Sequence, residues 1–198
     1  MMKNPTKPTM RPATMEDAQN LAKLIDIAGE GIPNWLWSKS SDAQHTPLDI
    51  GTQRARRPSG GFSYTNAFVA DIEGNIAGML LGYPITQAPD DDPDDLPAPI
   101  APFVELEKHS VATWYVNALA VFAEHHGKGI GSALMALAED EARKAAMSKM
   151  SIQVYGQNHG AVRLYRRLGY QLAEKAPVRL HPCQPFYTGD VLLLIKAL

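Results

Sequence analysis

Apolar and polar positions alternate along this chain with two periods, one helical and one strand-like. Ala18, Leu21, Leu24, Ile25 and Ala28 recur at helical spacing behind Thr14 and Asp17, a capping-box-like start, and Gly29 and Gly31 end the run. Before them, Thr9–Thr14 reads as a short strand entering a turn. Ile32–Trp37 is a short apolar cluster bounded by breakers, and 47–57 reads as a further helix with Arg54, Arg56 and Arg57 on a solvated face. Thr65–Asp71 and Asn75–Tyr83 are strand-like, with hairpin chemistry between them at Ile72-Glu73-Gly74. Gly78 inside the second run predicts a bulge or a close backbone approach.

The second half continues the alternation. Phe103–Ser110 reads as a short helix, Val116–Phe122 as a strand and Ser132–Ala146 as a helix built from strong helix formers. A short strand at Ser151–Tyr155 and a helix after Asn158 follow, then a strand continuing from Gln171 to Glu174. Gly189–Lys196 is too uniformly apolar for a strand with one wet face, which predicts a central or doubly covered position. The order β-α-(α)-β-β-β-α-β-α-β-β implies an α/β fold: a mixed central sheet of about six to seven strands with helices on both faces. Residues 9–198 then form one domain behind a loose tail at 1–8.

Composition narrows the function. A net charge of −2 gives no electrostatic footprint for nucleic acid, and no apolar run approaches the roughly 20 residues needed to span a bilayer. The N-terminus lacks an apolar signal core, and a single cysteine, Cys183, excludes an internal disulfide, so a cytoplasmic protein is expected. Residues 87–102 hold five prolines and five aspartates, Asp90, Asp91, Asp92, Asp94 and Asp95. This predicts an exposed loop, either an ordinary flexible insertion or an attractor for a cationic partner. Adjacent His125 and His126 suit no zinc signature, so no metal is expected, and Cys183 reads as a small buried hydrophobe.

The candidate chemistry centres on His126-Gly127-Lys128-Gly129-Ile130-Gly131, between a strand ending in Leu119-Ala120-Val121 and the helix that opens near Ser132. Glycines there let the backbone turn tightly, and the unpaired amides of a helix start attract an anion, most naturally phosphate. A Walker loop needs four residues between its first glycine and Gly-Lys-Ser/Thr, and a dinucleotide fingerprint needs Gly-x-Gly-x-x-Gly; neither fits. The stretch resembles the acetyl-CoA signature of the GNAT N-acetyltransferase family, Gln/Arg-x-x-Gly-x-Gly/Ala, with His126 in place of the usual Gln or Arg. Asn158, Ala161, Tyr165 and the pair Gly169-Tyr170 match that family's second segment in order, spacing and type. The resemblance is specific from about Thr113 to Tyr170.

That resemblance implies a GNAT-like domain that transfers the acetyl group of acetyl-CoA to a primary amine by direct attack. It assigns the coenzyme's pyrophosphate to His126, Gly127, Lys128, Gly129, Ile130, Gly131 and Ser132. The pantetheine arm falls to Leu119, Ala120 and Val121, with Asn158 bonding the same arm or capping its helix. Tyr165 is the implied acid for the departing thiolate, unless it is only a core residue. Asn117 or Tyr115 would order a water that deprotonates the amine, since Thr113–Phe122 carries no carboxylate. Glu105, Glu107, His109 and His181 are further base candidates. Trp35 and Trp37 either touch the acceptor or cap the core. Homodimers are common in the family, and the apolar C-terminal strand is a candidate contact. The competing reading is a non-catalytic acyl-CoA-binding module on the same fold.

Overall fold

The computed structural model describes residues 7–92, 95–183, 185–186 and 188–198; most of the expected tail, and Asp94 of the acidic run, lie outside them. Among these residues the chain forms one mixed seven-stranded sheet, ordered β1-β2-β3-β4-β5-β7-β6, and six α-helices. The strands are β1 (Thr9–Pro12), β2 (Ala67–Ile72), β3 (Asn75–Ile85), β4 (Thr113–Val121), β5 (Lys149–Tyr155), β6 (Gln171–Pro177) and β7 (Asp190–Ala197). The helices are α1 (Ala18–Ala28), α2 (Ile32–Ser38), α3 (Pro47–Ala55), α4 (Ala101–Glu107), α5 (Ile130–Lys144) and α6 (His159–Arg167). Two compact units divide the chain: one runs up to Gly82 and includes Ala118–Ala138, the other comprises Tyr83–Asn117 and Glu139–Leu198.

In the first unit, β1, β2 and β3 form an antiparallel meander. Glu73 and Gly74, at φ of 53° and 85°, turn the β2–β3 hairpin as its sequence predicts. The helical stripe of α1 is buried through Leu21, Ala22, Leu24 and Ile25. The apolar cluster at Ile32–Trp37 is itself a helix, α2, because Pro33 sits where a missing N–H costs nothing. Trp37 is 3% exposed, and its ring fills the space above Gly51 of α3. Arg11 ties β1 to its neighbours, with Nη1 2.7 Å from Asp17 Oδ2 and Nη2 3.1 Å from Asp71 Oδ2.

In the second unit, β4 and β5 run parallel with Trp114 opposite Met150, Tyr115 opposite Ser151 and Val116 opposite Ile152. Thr113 Oγ1 lies 2.6 Å from Ser151 Oγ and 2.7 Å from the Ser110 carbonyl, which pins the start of β4. The helix expected from Phe103 begins earlier, at Ala101: Ala101 and Pro102 are buried, so the proline-rich segment docks at its end while Asp90, Asp91, Asp92 and Asp95 stay exposed. Strand β7 pairs with β5 on one side and β6 on the other, and Val191, Leu193 and Leu194 are buried. The uniform apolar run is therefore spent inside the sheet. Strand β6 is the outer strand beside it.

Candidate active site

Strand β3 shapes the end of β4. Its pairing with β2 slips between Ala70 and Asp71, which oppose Gly78 and Ile76, so Ala77 bulges out of the ladder. The freed Ala77 carbonyl accepts the Phe122 N–H at 2.9 Å. A Cβ on Gly78 would stand 2.8 Å from the Ala120 carbonyl, so the expected bulge and the expected close approach both occur. The backbone of Leu119, Ala120 and Val121 is thereby held just before the glycine loop.

Two side chains fold back to lace that loop. The His126 Nε2–H donates to the Val121 carbonyl at 2.8 Å, which fixes the hydrogen on Nε2, because a carbonyl only accepts. Lys128 Nζ donates to the Glu124 carbonyl at 2.8 Å. Gly127 and Gly129 sit at φ of 74° and 78° in open space, so conformation rather than crowding excludes a side chain there. Ala133 N–H makes the first helical bond, to the Gly129 carbonyl at 3.0 Å. Among the described residues the amides of Gly127, Lys128, Gly129, Ile130, Gly131 and Ser132 find no protein acceptor. Six successive donors at the positive end of a 15-residue helix make a cradle for a polyanion.

In the second unit, Asn158 caps α6, its Oδ1 accepting the Ala161 N–H at 3.1 Å. Tyr165 is 5% exposed on the inner face of α6, its ring 6.0 Å from that of Tyr170. Burial pushes its phenol well above the usual range, so it keeps its proton at neutral pH. Asn117 is half-buried on β4, and its Nδ2 donates to the Tyr83 hydroxyl at 3.3 Å. The rings of Tyr83 and Tyr115 meet edge-to-face at 6.0 Å. Burial and the charge of Glu107 raise both phenols, with Asn117 opposing the rise. Neither tyrosine accepts a proton near neutrality.

Of the four remaining base candidates, Glu105 and His109 are exposed, and His181 Nδ1 sits 3.0 Å from Cys183 Sγ. Cys183 is thus a half-buried partner of a histidine rather than a buried hydrophobe. Glu107 is half-buried at the end of α4. Trp37 is consumed by the packing on α3, whereas Trp35 is half-buried with Lys39 Nζ 4.6 Å from its ring centre. Tyr83 escaped the sequence reading. Its one signal is a polar-tipped ring closing an otherwise apolar strand. No group of three or more potential metal ligands occurs among the described residues.

The profile of the acetyltransferase (GNAT) family matches residues 30–170, and the chain belongs to that family. An acetyltransferase crystal structure covers 96% of this chain and 98% of its own, with a TM-score of 0.65 at 21% identity. A ribosomal-protein-alanine N-acetyltransferase from Brucella melitensis aligns over 96% and 99%, at 0.63 and 19%. A putative acetyltransferase from Salmonella typhimurium, solved with its cofactor acetyl-CoA, aligns over 97% and 94%, at 0.60 and 17%. At such identities the likeness is one of fold. No curated protein matches the sequence.

Proposed function

We propose that the protein is an acetyl-CoA-dependent N-acetyltransferase in which a primary amine attacks the thioester directly. The observation that carries this reading is the run of six unpaired amides from Gly127 to Ser132, opened by two glycines at positive φ. The coenzyme supplies an acetyl group activated as a thioester. The loop amides hold its pyrophosphate, with His126 and Lys128 bracing the loop from behind. The backbone of Leu119, Ala120 and Val121 lies along the pantetheine arm, and Asn158 adds a bond to that arm. An amide of the same strand receives the oxyanion, and Tyr165 returns a proton to the departing thiolate. The proposed location is the cytoplasm.

Calorimetric titration with acetyl-CoA and with CoA tests the coenzyme. The parent should bind both, and Gly129→Glu, which places bulk and negative charge among the amides, should bind neither. A folded parent that binds neither coenzyme overturns the proposal. The absence of a carboxylate from β4 favours a second reading, a non-catalytic acyl-CoA-binding module. Tyr165→Phe separates the two: an enzyme loses turnover and keeps coenzyme affinity. A parent that binds acetyl-CoA yet acetylates no member of an amine panel supports the module.

A further inference from the structure

In the second unit, charge is spread unevenly over the surface. Helix α6 carries Arg163, Arg166 and Arg167 and no acidic residue. Spaced at i, i+3 and i+4, the three arginines share the outer face of the helix, away from the buried Val162 and Tyr165, and all three are exposed. Like charges at that spacing repel. The negative end of the helix favours Arg166 and Arg167 in its last turn, but not Arg163 before it. Arg143, Lys144, Lys175 and Lys196 each have a carboxylate partner, whereas among the described residues Arg163, Arg166 and Arg167 have none. Two residues past Arg167, Gly169 lines a groove of about 430 Å³ together with Lys149, Leu172, Ala173, Ile195 and Lys196. Leu172 is 54% exposed, and Lys149 is exposed with no carboxylate partner among the described residues. Strand β6, which supplies Leu172 and Ala173, is the last of the sheet, so no strand lies beyond it. Unpaired cations beside an open, partly apolar groove suit a partner that is acidic and carries small apolar groups.

The same chain contains such a segment. Between β3 and α4, Thr86-Gln87-Ala88-Pro89-Asp90-Asp91-Asp92 is irregular throughout and exposed, with Pro89 alone half-buried. Asp90 and Asp91 have no cation partner among the described residues. Proline and like-charge repulsion favour an extended backbone, and seven extended residues reach roughly 20 Å. We propose that this acidic segment of one copy of the chain docks on the arginine face of α6 and the adjoining groove of a second copy. Each copy carries one of each surface, so a two-fold pair engages both at once and closes the assembly. The attraction steers the encounter and weakens with salt, while Ala88 and Pro89 bring the apolar area that meets Leu172. Neither surface uses a residue of the glycine loop, and the pairing does not depend on the acetyltransferase chemistry.

Sedimentation of the full chain as a function of salt tests the docking. In about 20 mM salt the parent should sediment as a dimer, at twice its 21.6 kDa, and raising the salt to roughly 0.5 M should weaken that dimer by about tenfold or more. A triple variant with Arg163→Glu, Arg166→Glu and Arg167→Glu sets acid against acid. A second, with Asp90→Lys, Asp91→Lys and Asp92→Lys, sets base against base. Each alone should sediment as a monomer. Mixed in equal amounts, the two variants restore opposite charges at both contacts of one pair and should sediment as a heterodimer. All six positions are exposed, and thermal melts that match the parent's show that each variant is folded. A parent that stays monomeric in low salt, a dimer indifferent to salt, a triple variant that still dimerises alone, or a mixture of folded variants that remains monomeric would each overturn the proposal.

Discussion

Between Val121 and Ser132 the chain presents its chemistry through the backbone, while between Tyr83 and Asn117 it does so through side chains. In the glycine loop the donors are main-chain amides, and the side chains of His126 and Lys128 turn back on carbonyls of the same stretch. Around Asn117 the backbone is occupied by the sheet, and the polar groups are side chains: an amide and two phenols, one of them buried. The difference follows from the ligands that the family resemblance implies for each. A pyrophosphate is the same in every reaction of the family, so a conformation suffices to bind it. An acceptor differs from enzyme to enzyme, so its recognition falls on residues that can change without altering the fold.

Substitutions can break this contrast in order of expected effect. Gly129→Glu should lower acetyl-CoA affinity more than about 100-fold, since it inserts a negative charge among six unpaired amides. A loop that tolerates it would show that the backbone is not the reader. Tyr165→Phe should reduce kcat by about 100-fold with coenzyme affinity intact. A variant as fast as the parent would return Tyr165 to the core stripe that it shares with Val162. Gly78→Ala should push the Ala120 carbonyl, costing roughly 1–3 kcal/mol of stability and weakening coenzyme binding with it; thermal melts and calorimetry on the same sample test the pair. Lys128→Ala, which removes a side chain from the loop, should change coenzyme affinity by no more than about threefold, the smallest effect. A larger loss would make the ammonium itself a phosphate ligand.

Away from both regions, Asp17 provides a pH test of the scaffold. Its carboxyl lies below the usual range, first through the hydrogen bond from Arg11 and then through the Thr14 N–H, against the opposing effect of burial. A lowered carboxyl stabilises the fold above its unfolded value of about 4, and that contribution is lost as pH falls through the folded one. Acid unfolding of the parent should therefore be steeper than that of Asp17→Asn, which should already be weaker by about 1–2 kcal/mol at pH 7. Identical acid profiles would remove the pair Arg11–Asp17 from the stabilising contacts.

Much of the fold was legible because local rules wrote it. Thr14 and Asp17 start α1, Glu73-Gly74 turns the hairpin and Asn158 caps α6, each through bonds to backbone within three residues. The helical nature of Ile32–Trp37 was less legible, because Gly31 and Pro33 read equally as breakers and as a helix start. Trp35 and Trp37 look alike in sequence, and only the seat of α2 on α3 buries one and leaves the other half-open.

The sequence alone determined the glycine loop, the helix behind it, the succession of strands and helices, and through them the family. Those features need only dihedral preferences and hydrogen bonds within a few residues, which a short stretch carries wherever it sits. The tertiary structure decided that β7 lies inside the sheet, that Ala77 bulges toward Phe122, and that Tyr83 meets Tyr115 and Asn117. A period of two tells which face a side chain takes but not which strand stands beside it. The partner of Asn117 lies 34 positions away, and only the pairing of whole strands brings it there.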